Sequence, residues 1–141
     1  MRASAQHYEN GNVLYIAYSG RYDRNQSLPI FQKLIAEQWP LPPIIICDPS
    51  QLMFSEDYFQ LNPLDLYTEE LQVLREALSS QHIRLLICVS GDHDALRARL
   101  MARHEWMGLA HKMILVGTVE EAFRHIGVLA WHPAQIGFSQ N

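Results

Sequence analysis

Short apolar runs alternate along this chain with stretches whose apolar positions recur every three or four residues. Ile44-Ile45-Ile46-Cys47 leads into Asp48-Pro49-Ser50, and Leu85-Leu86-Ile87-Cys88-Val89 leads into Ser90-Gly91-Asp92-His93-Asp94. Apolar runs bounded by turn residues and separated by helical stretches predict a sheet with buried parallel strands. The strand C-termini of such a sheet share one edge, and ligands or partners usually meet the protein there.

The remaining pattern fills in the elements. Ser4–Tyr8 and Val13–Tyr18 flank Glu9-Asn10-Gly11-Asn12, and Asn-Gly predicts a type I′ hairpin because both central residues need positive φ. Ser19 to Gln26 reads as a polar loop. Ser27 is the expected N-cap of a first helix, with Pro29 in its first turn and Ile30, Phe31, Leu34 and Ile35 on one face. Pro40-Leu41-Pro42-Pro43 ends that helix and launches the strand at Ile44. Residues 49–65 show no clean period; a short helix is expected there, followed by a break at Asn62-Pro63. Thr68 is the expected cap of a second helix with Leu71, Leu74 and Leu78 inward. Ile83 to Val89 is a strand. Asp92 or Asp94 is expected to cap a third helix, running to about Met107 with Leu96, Leu100 and Met107 inward and Gly108 as its C-cap. Met113 to Val116 forms the last strand. Thr118 and Glu121 form a capping box for a helix carrying Val119, Ala122, Phe123 and Ile126. The tail from Val128 to Asn141, with Trp131, Pro133 and Phe138, either packs back on the body or meets a partner.

The expected architecture is therefore one α/β domain over residues 1–141, with a core at about 13–127. It has a mixed sheet of about five strands, an N-terminal β-hairpin and about four packed helices. The length of 141 residues suits one domain, and 48% hydrophobic residues can form a real core. Charged residues make up 18%, below the usual quarter, which excludes a disordered chain. A net charge of −4, from 11 basic and 15 acidic residues, argues against a nucleic-acid surface. No apolar run approaches the ~20 residues of a membrane span, and the first residues lack a signal-peptide core, so a cytoplasmic protein is expected. Cys47 and Cys88 read as reduced core thiols. A redox pair would require their strands to be neighbours with both side chains on one face.

Candidate chemistry gathers at the strand C-terminal edge: Arg21, Asp23, Arg24, Asp48, Ser50, Ser90, Asp92, His93 and Asp94. His93 with Asp92 or Asp94 could serve as acid and base in a small hydrolase or lyase. The competing reading is helix capping and solvated loop charge. None of the seven histidines forms the i,i+4 pair of a zinc helix, and Cys-x-x-Cys is absent, so no metal or other cofactor is expected. The nucleophile-elbow pattern Gly-x-Ser-x-Gly is missing. Val89-Ser90-Gly91-Asp92 carries one glycine, and an acidic residue where phosphate would be repelled. Arg97, Arg99 and Arg103, with His104 beside them, read as a solvated helix face; binding of an anionic group is the alternative. Trp106 and Met107 read as core if buried and as an interface anchor if exposed.

The succession resembles the STAS domain, the fold of bacterial anti-sigma-factor antagonists and of relatives described as STAS/SEC14-like. The likeness covers roughly Val13 to Gly127. Val13 to Asp23 looks like the family's opening strand and its Gly-x-x-Asp loop. Ile44 to Asp48 looks like the central strand ending in Asp, and Val116 to Ala122 like the last strand entering a Glu-Ala helix. In the antagonist branch the loop after the central strand ends in Asp-Ser-Ser-Gly or similar, and that Ser is phosphorylated. Here the matching stretch is Phe54-Ser55-Glu56-Asp57-Tyr58-Phe59. By spacing, Glu56 falls on the family's Asp and Asp57 on its phosphoacceptor, with no Gly following. An acidic residue there resembles a permanently modified state, since phosphate adds about −1.5 to −2 charge; a shifted alignment would make Ser55 the acceptor.

The resemblance implies a non-enzymatic regulatory module that docks a protein partner through the strand C-terminal edge. The expected surface is Arg21, Asp23, Asp48, Ser50, Ser55, Glu56, Asp57, Tyr58, Asp92 and His93. The alternative is a SEC14-like module binding a small apolar ligand such as a lipid, its pocket lined by residues 52–66. A homodimer is left open.

Overall fold

The computed structural model describes residues 1–60, 72, 75–76, 83–107 and 112–127, the side chains of Arg103, His104, Trp106 and Met107 excepted. Five strands form one sheet in the order of the chain: β1 (Arg2–Tyr8), β2 (Val13–Arg21), β3 (Ile44–Met53), β4 (Leu85–Val89) and β5 (Met113–Val116). β1 and β2 are antiparallel, and every later pair is parallel. Three α-helices are described from end to end: α1 (Arg24–Glu37), α2 (Asp94–Met107) and α3 (Val119–His125). The expected mixed five-stranded sheet is present. Of the helix expected after Thr68, the described residues Gln72, Arg75 and Glu76 are helical and exposed; Thr68, Leu71, Leu74 and Leu78 lie outside the described residues. So do Gly108 and the tail from Val128.

The sheet has two covered faces, and the chain's handedness assigns them. Parallel strands laid down in one direction by right-handed crossovers put their connecting helices on the same face. α1 and α2 accordingly share one face, where Phe31, Leu34, Leu96 and Leu100 pack on Leu14, Ile16, Ile45, Leu86 and Met113. α3 follows the last strand and returns to the opposite face, where Ala122 and Phe123 cover Val13, Tyr15, Ile46, Ile87 and Val89. Central strands β2, β3 and β4 are therefore buried on both sides, which is why they read as continuous apolar runs rather than alternating ones.

Several boundaries differ from expectation for identifiable reasons. The hairpin turn is not the two-residue type: Tyr8 pairs with Val13, and Glu9, Asn10 and Gly11 all adopt positive φ in a four-residue connection. The first helix starts three residues earlier than its expected cap. Asp23, not Ser27, is its N-cap, with Oδ1 accepting from the Asn25 amide at 2.9 Å, so Pro29 lies inside the helix. β3 does not stop at Cys47. It runs on through Asp48-Pro49-Ser50 to Met53, with a register shift against β2 between Ala17 and Ser19. A bulge tolerates the missing proline amide, so a sequence that looks like a turn continues as strand. The Thr118 cap is as expected, its Oγ1 accepting from the Glu121 amide at 3.1 Å.

Candidate functional site

At the C-terminal edge of the parallel strands, the segment after β3 folds into a 3₁₀ turn, Glu56–Gln60. Its only buried residue is Tyr58, while Ser55, Glu56 and Asp57 face solvent. Four side chains from outside the turn, those of Tyr22, Phe54, His93 and Arg99, hold it down through Tyr58 and Phe59. The Phe54 ring stacks on Tyr58 at 4.4 Å, and Tyr22 meets Tyr58 edge-on at 4.8 Å. Phe59 contacts Tyr58 at 4.9 Å and the His93 imidazole at 4.8 Å. The Arg99 guanidinium lies 4.8 Å from the Tyr58 centroid and 5.6 Å from that of Phe59. Aromatic pairs of this kind contribute ~0.5–1.5 kcal/mol each beyond burial, and a desolvated cation over a ring about 2 kcal/mol. The polar side chains at the turn's surface are thus displayed on a well-anchored base.

This arrangement corrects three expectations. Tyr58 is buried and anchors the turn from below rather than touching a partner. Arg99 is not part of a solvated face; it is 7% exposed and covered by the rings, whereas Arg97 on the same helix is exposed. The cap of α2 is His93 and not Asp92 or Asp94: its Nδ1 accepts from the Leu96 amide at 3.2 Å. One imidazole nitrogen and one ring face of His93 are therefore engaged in structural contacts. Asp92 and Asp94 are exposed.

Asp48 and Ser50 are not edge groups. Asp48 is 3% exposed, and its carboxyl oxygens accept from the Tyr15 hydroxyl at 2.6 Å, the Ser50 amide at 3.0 Å and the Ser50 hydroxyl. Tyr15 lies beneath the Phe123 ring on the α3 face, so this network is on the side of the sheet away from the aromatic turn. Ser50 also packs against the turn after β4: a Cβ on Gly91, whose φ is +63°, would stand 3.1 Å from the Ser50 Cβ. Ser90 ties the start of that turn to the end of β5, its amide donating to the Val116 carbonyl at 3.0 Å. Asp23 caps α1, and Arg21 is exposed at the end of β2. Of the ten residues expected at the surface, Arg21, Ser55, Glu56, Asp57, Asp92 and His93 are exposed.

Burial, and then the hydrogen bond to Asp48, push the Tyr15 phenol far above its ordinary value. The folded protein therefore holds that proton more tightly than the unfolded chain. This contribution is complete below pH ~10, where the unfolded phenol titrates, and is lost as pH rises above it, by up to ~1.4 kcal/mol per pH unit. Chemical denaturation between pH 9 and 11 is expected to show this slope in the wild type and a shallower one in Tyr15→Phe. Equal slopes would show that Tyr15 is not the group responsible.

The apolar pocket expected from residues 52–66 falls partly outside the described residues. Within them, Phe54, Tyr58 and Phe59 pack on one another. An open groove of about 540 Å³ lies elsewhere, between β1 and α1, lined by Arg2, Ala5, Ile30, Leu34 and Gln38 among others. No helix among the described residues is long and apolar enough to cross a membrane.

No protein-family profile matches the sequence, and no curated protein matches it. Solved structures do match in fold. An anti-sigma factor antagonist from Mycobacterium paratuberculosis superposes with a TM-score of 0.51 at 16% identity, over 89% of this chain and 94% of that one. The anti-sigma factor antagonist SpoIIAA in its unphosphorylated form superposes with a TM-score of 0.53 at 15% identity, over 92% of this chain and the whole of that one. The chain has the fold of these antagonists, as the resemblance in its sequence implied.

Proposed function

We propose that this domain is a non-enzymatic regulatory module of the STAS kind, docking a protein partner through the exposed turn at the strand C-terminal edge. The observation that carries this reading is the extent of the fold likeness: nearly the whole chain follows two proteins that are antagonists of anti-sigma factors. A protein of the anti-sigma-factor class is accordingly the first partner to try. The anchored turn supports the reading, since Ser55, Glu56 and Asp57 stand in solvent on a base of packed rings. A rigid display surface loses little entropy on docking. Asp57 has no role in the packing beneath, so reversing its charge changes the surface and leaves the fold.

Wild-type protein and Asp57→Arg are compared as bait in a lysate of the native host, with captured proteins identified by mass spectrometry and then titrated in purified form. The expected result is a partner whose affinity falls at least tenfold in Asp57→Arg, with both proteins melting at the same temperature. Equal affinity in the two would remove the turn from the interface. Capture of no protein by the wild type, together with a co-purifying lipid in its native mass spectrum, would favour the apolar-ligand reading instead.

A further inference from the structure

The two cysteines meet the geometric condition for a redox pair. Cys47 on β3 and Cys88 on β4 are direct partners in the parallel register. Both belong to the same core face, Cys88 fully buried and Cys47 partly exposed beside it. Adjacent strands are ~4.8 Å apart, within the Cα separation of about 4.4–6.8 Å that disulfides span. We propose that Cys47 and Cys88 form a reversible disulfide across β3 and β4 when the protein meets a peroxide.

Their unequal exposure assigns the roles. Cys47 is the more exposed of the two, so its thiolate is assigned the attack on one peroxide oxygen; the O–O bond breaks, and water leaves after protonation. Cys47 is then a sulfenic acid. The Cys88 sulfur attacks the Cys47 sulfur, the S–O bond breaks, and a second water departs with the Cys88 proton. In sum, two thiols and one hydrogen peroxide give one disulfide and two waters: the sulfurs lose two electrons and the peroxide gains them.

Reversibility follows from the strand geometry. Side chains of in-register parallel neighbours leave the sheet side by side, which keeps their Cβ atoms near the strand spacing rather than at the ~3.8 Å a relaxed disulfide prefers. Closing the bond must draw β3 and β4 together locally. A bond held under such strain is more easily reduced, which suits a labile switch and not a permanent staple. The chain contains only these two cysteines, so any disulfide within one molecule is this one.

The test is direct. The folded 141-residue protein is treated with hydrogen peroxide, denatured in N-ethylmaleimide and weighed by intact mass spectrometry. The expected result is complete loss of both maleimide additions, a mass lower by two hydrogens, recovery of both additions after dithiothreitol, and an unchanged circular dichroism spectrum. In Cys88→Ala, Cys47 should stop at a sulfenic acid that dimedone traps. Two maleimide additions surviving in the wild type would overturn the proposal. So would a sulfinic acid on Cys47 with Cys88 intact, a disulfide-linked dimer, or loss of the folded spectrum. The wild-type measurement decides the matter even if Cys88→Ala fails to fold.

Discussion

Phe123→Ala is expected to cost about 3–5 kcal/mol, the range for removing a large aromatic side chain from a closed core. Phe123 has no exposed surface. Its ring meets Tyr8 edge-on at 5.1 Å and lies 6.1 Å from Tyr15. It is the largest side chain that α3 lays on the sheet, and α3 is the only helix on that face among the described residues. Of its neighbours, Val13, Tyr15, Ile46, Ile87 and Val89 belong to β2, β3 and β4, which are paired on both sides and cannot move to close over the space. Thermal unfolding followed by circular dichroism should show a melting temperature lower by roughly 10 °C. Phe123→Leu keeps much of the volume and should recover at least half of the loss. A drop of less than about 1 kcal/mol in Phe123→Ala, the level of an ordinary surface change, would mean that α3 does not cover this face in solution.

Asp48→Ala is expected to cost roughly 3–4 kcal/mol, for a different reason. The substitution leaves little volume to fill but strands three donors: the Tyr15 hydroxyl and the Ser50 amide and hydroxyl. A buried donor left without an acceptor costs about 1–3 kcal/mol. The cost should be shared with Tyr15 in a measurable way. In a double-mutant cycle, Tyr15→Phe should be far less damaging in the Asp48→Ala background than in the wild type, with a coupling of about 1.5–3 kcal/mol. Strict additivity in urea denaturation would show that the Tyr15–Asp48 bond contributes nothing. Loss of partner binding in Asp48→Ala with full stability would return Asp48 to the docking surface.

The contrast between what the chain reveals and what it hides is clearest at these residues. β4, β5 and α3 are legible because each is a local pattern with its own terminators: an unbroken apolar run, or Thr118 with Glu121 ahead of Ala122 and Phe123. Asp48-Pro49-Ser50 misleads because each residue type favours a turn locally, while its actual setting depends on pairing with β2. One signal was present. Val13, Tyr15 and Ala17 alternate on one face of β2, and a phenol at a core position needs an acceptor from another element. Arg99 carried a similar signal, three residues after Leu96 and one before Leu100, on the buried side of α2. The aromatic base of the turn left no such trace. Tyr22, Phe54, Tyr58, Phe59 and His93 come together only through the tertiary fold, so no window of sequence contains them.

The order of the sheet has a consequence for how the chain is made. Strand succession in space equals strand succession in sequence, from β1 to β5. Each strand leaving the ribosome therefore finds its neighbour already synthesised and adds to a growing rim; none must be threaded between two that have already paired. The β1–β2 hairpin can form first, since its strands are joined by four residues, and hairpins close in about 1–10 μs, far faster than residues are added. Assembly can then keep pace with translation, and at every stage the one unsatisfied rim awaiting a mate is that of the newest strand.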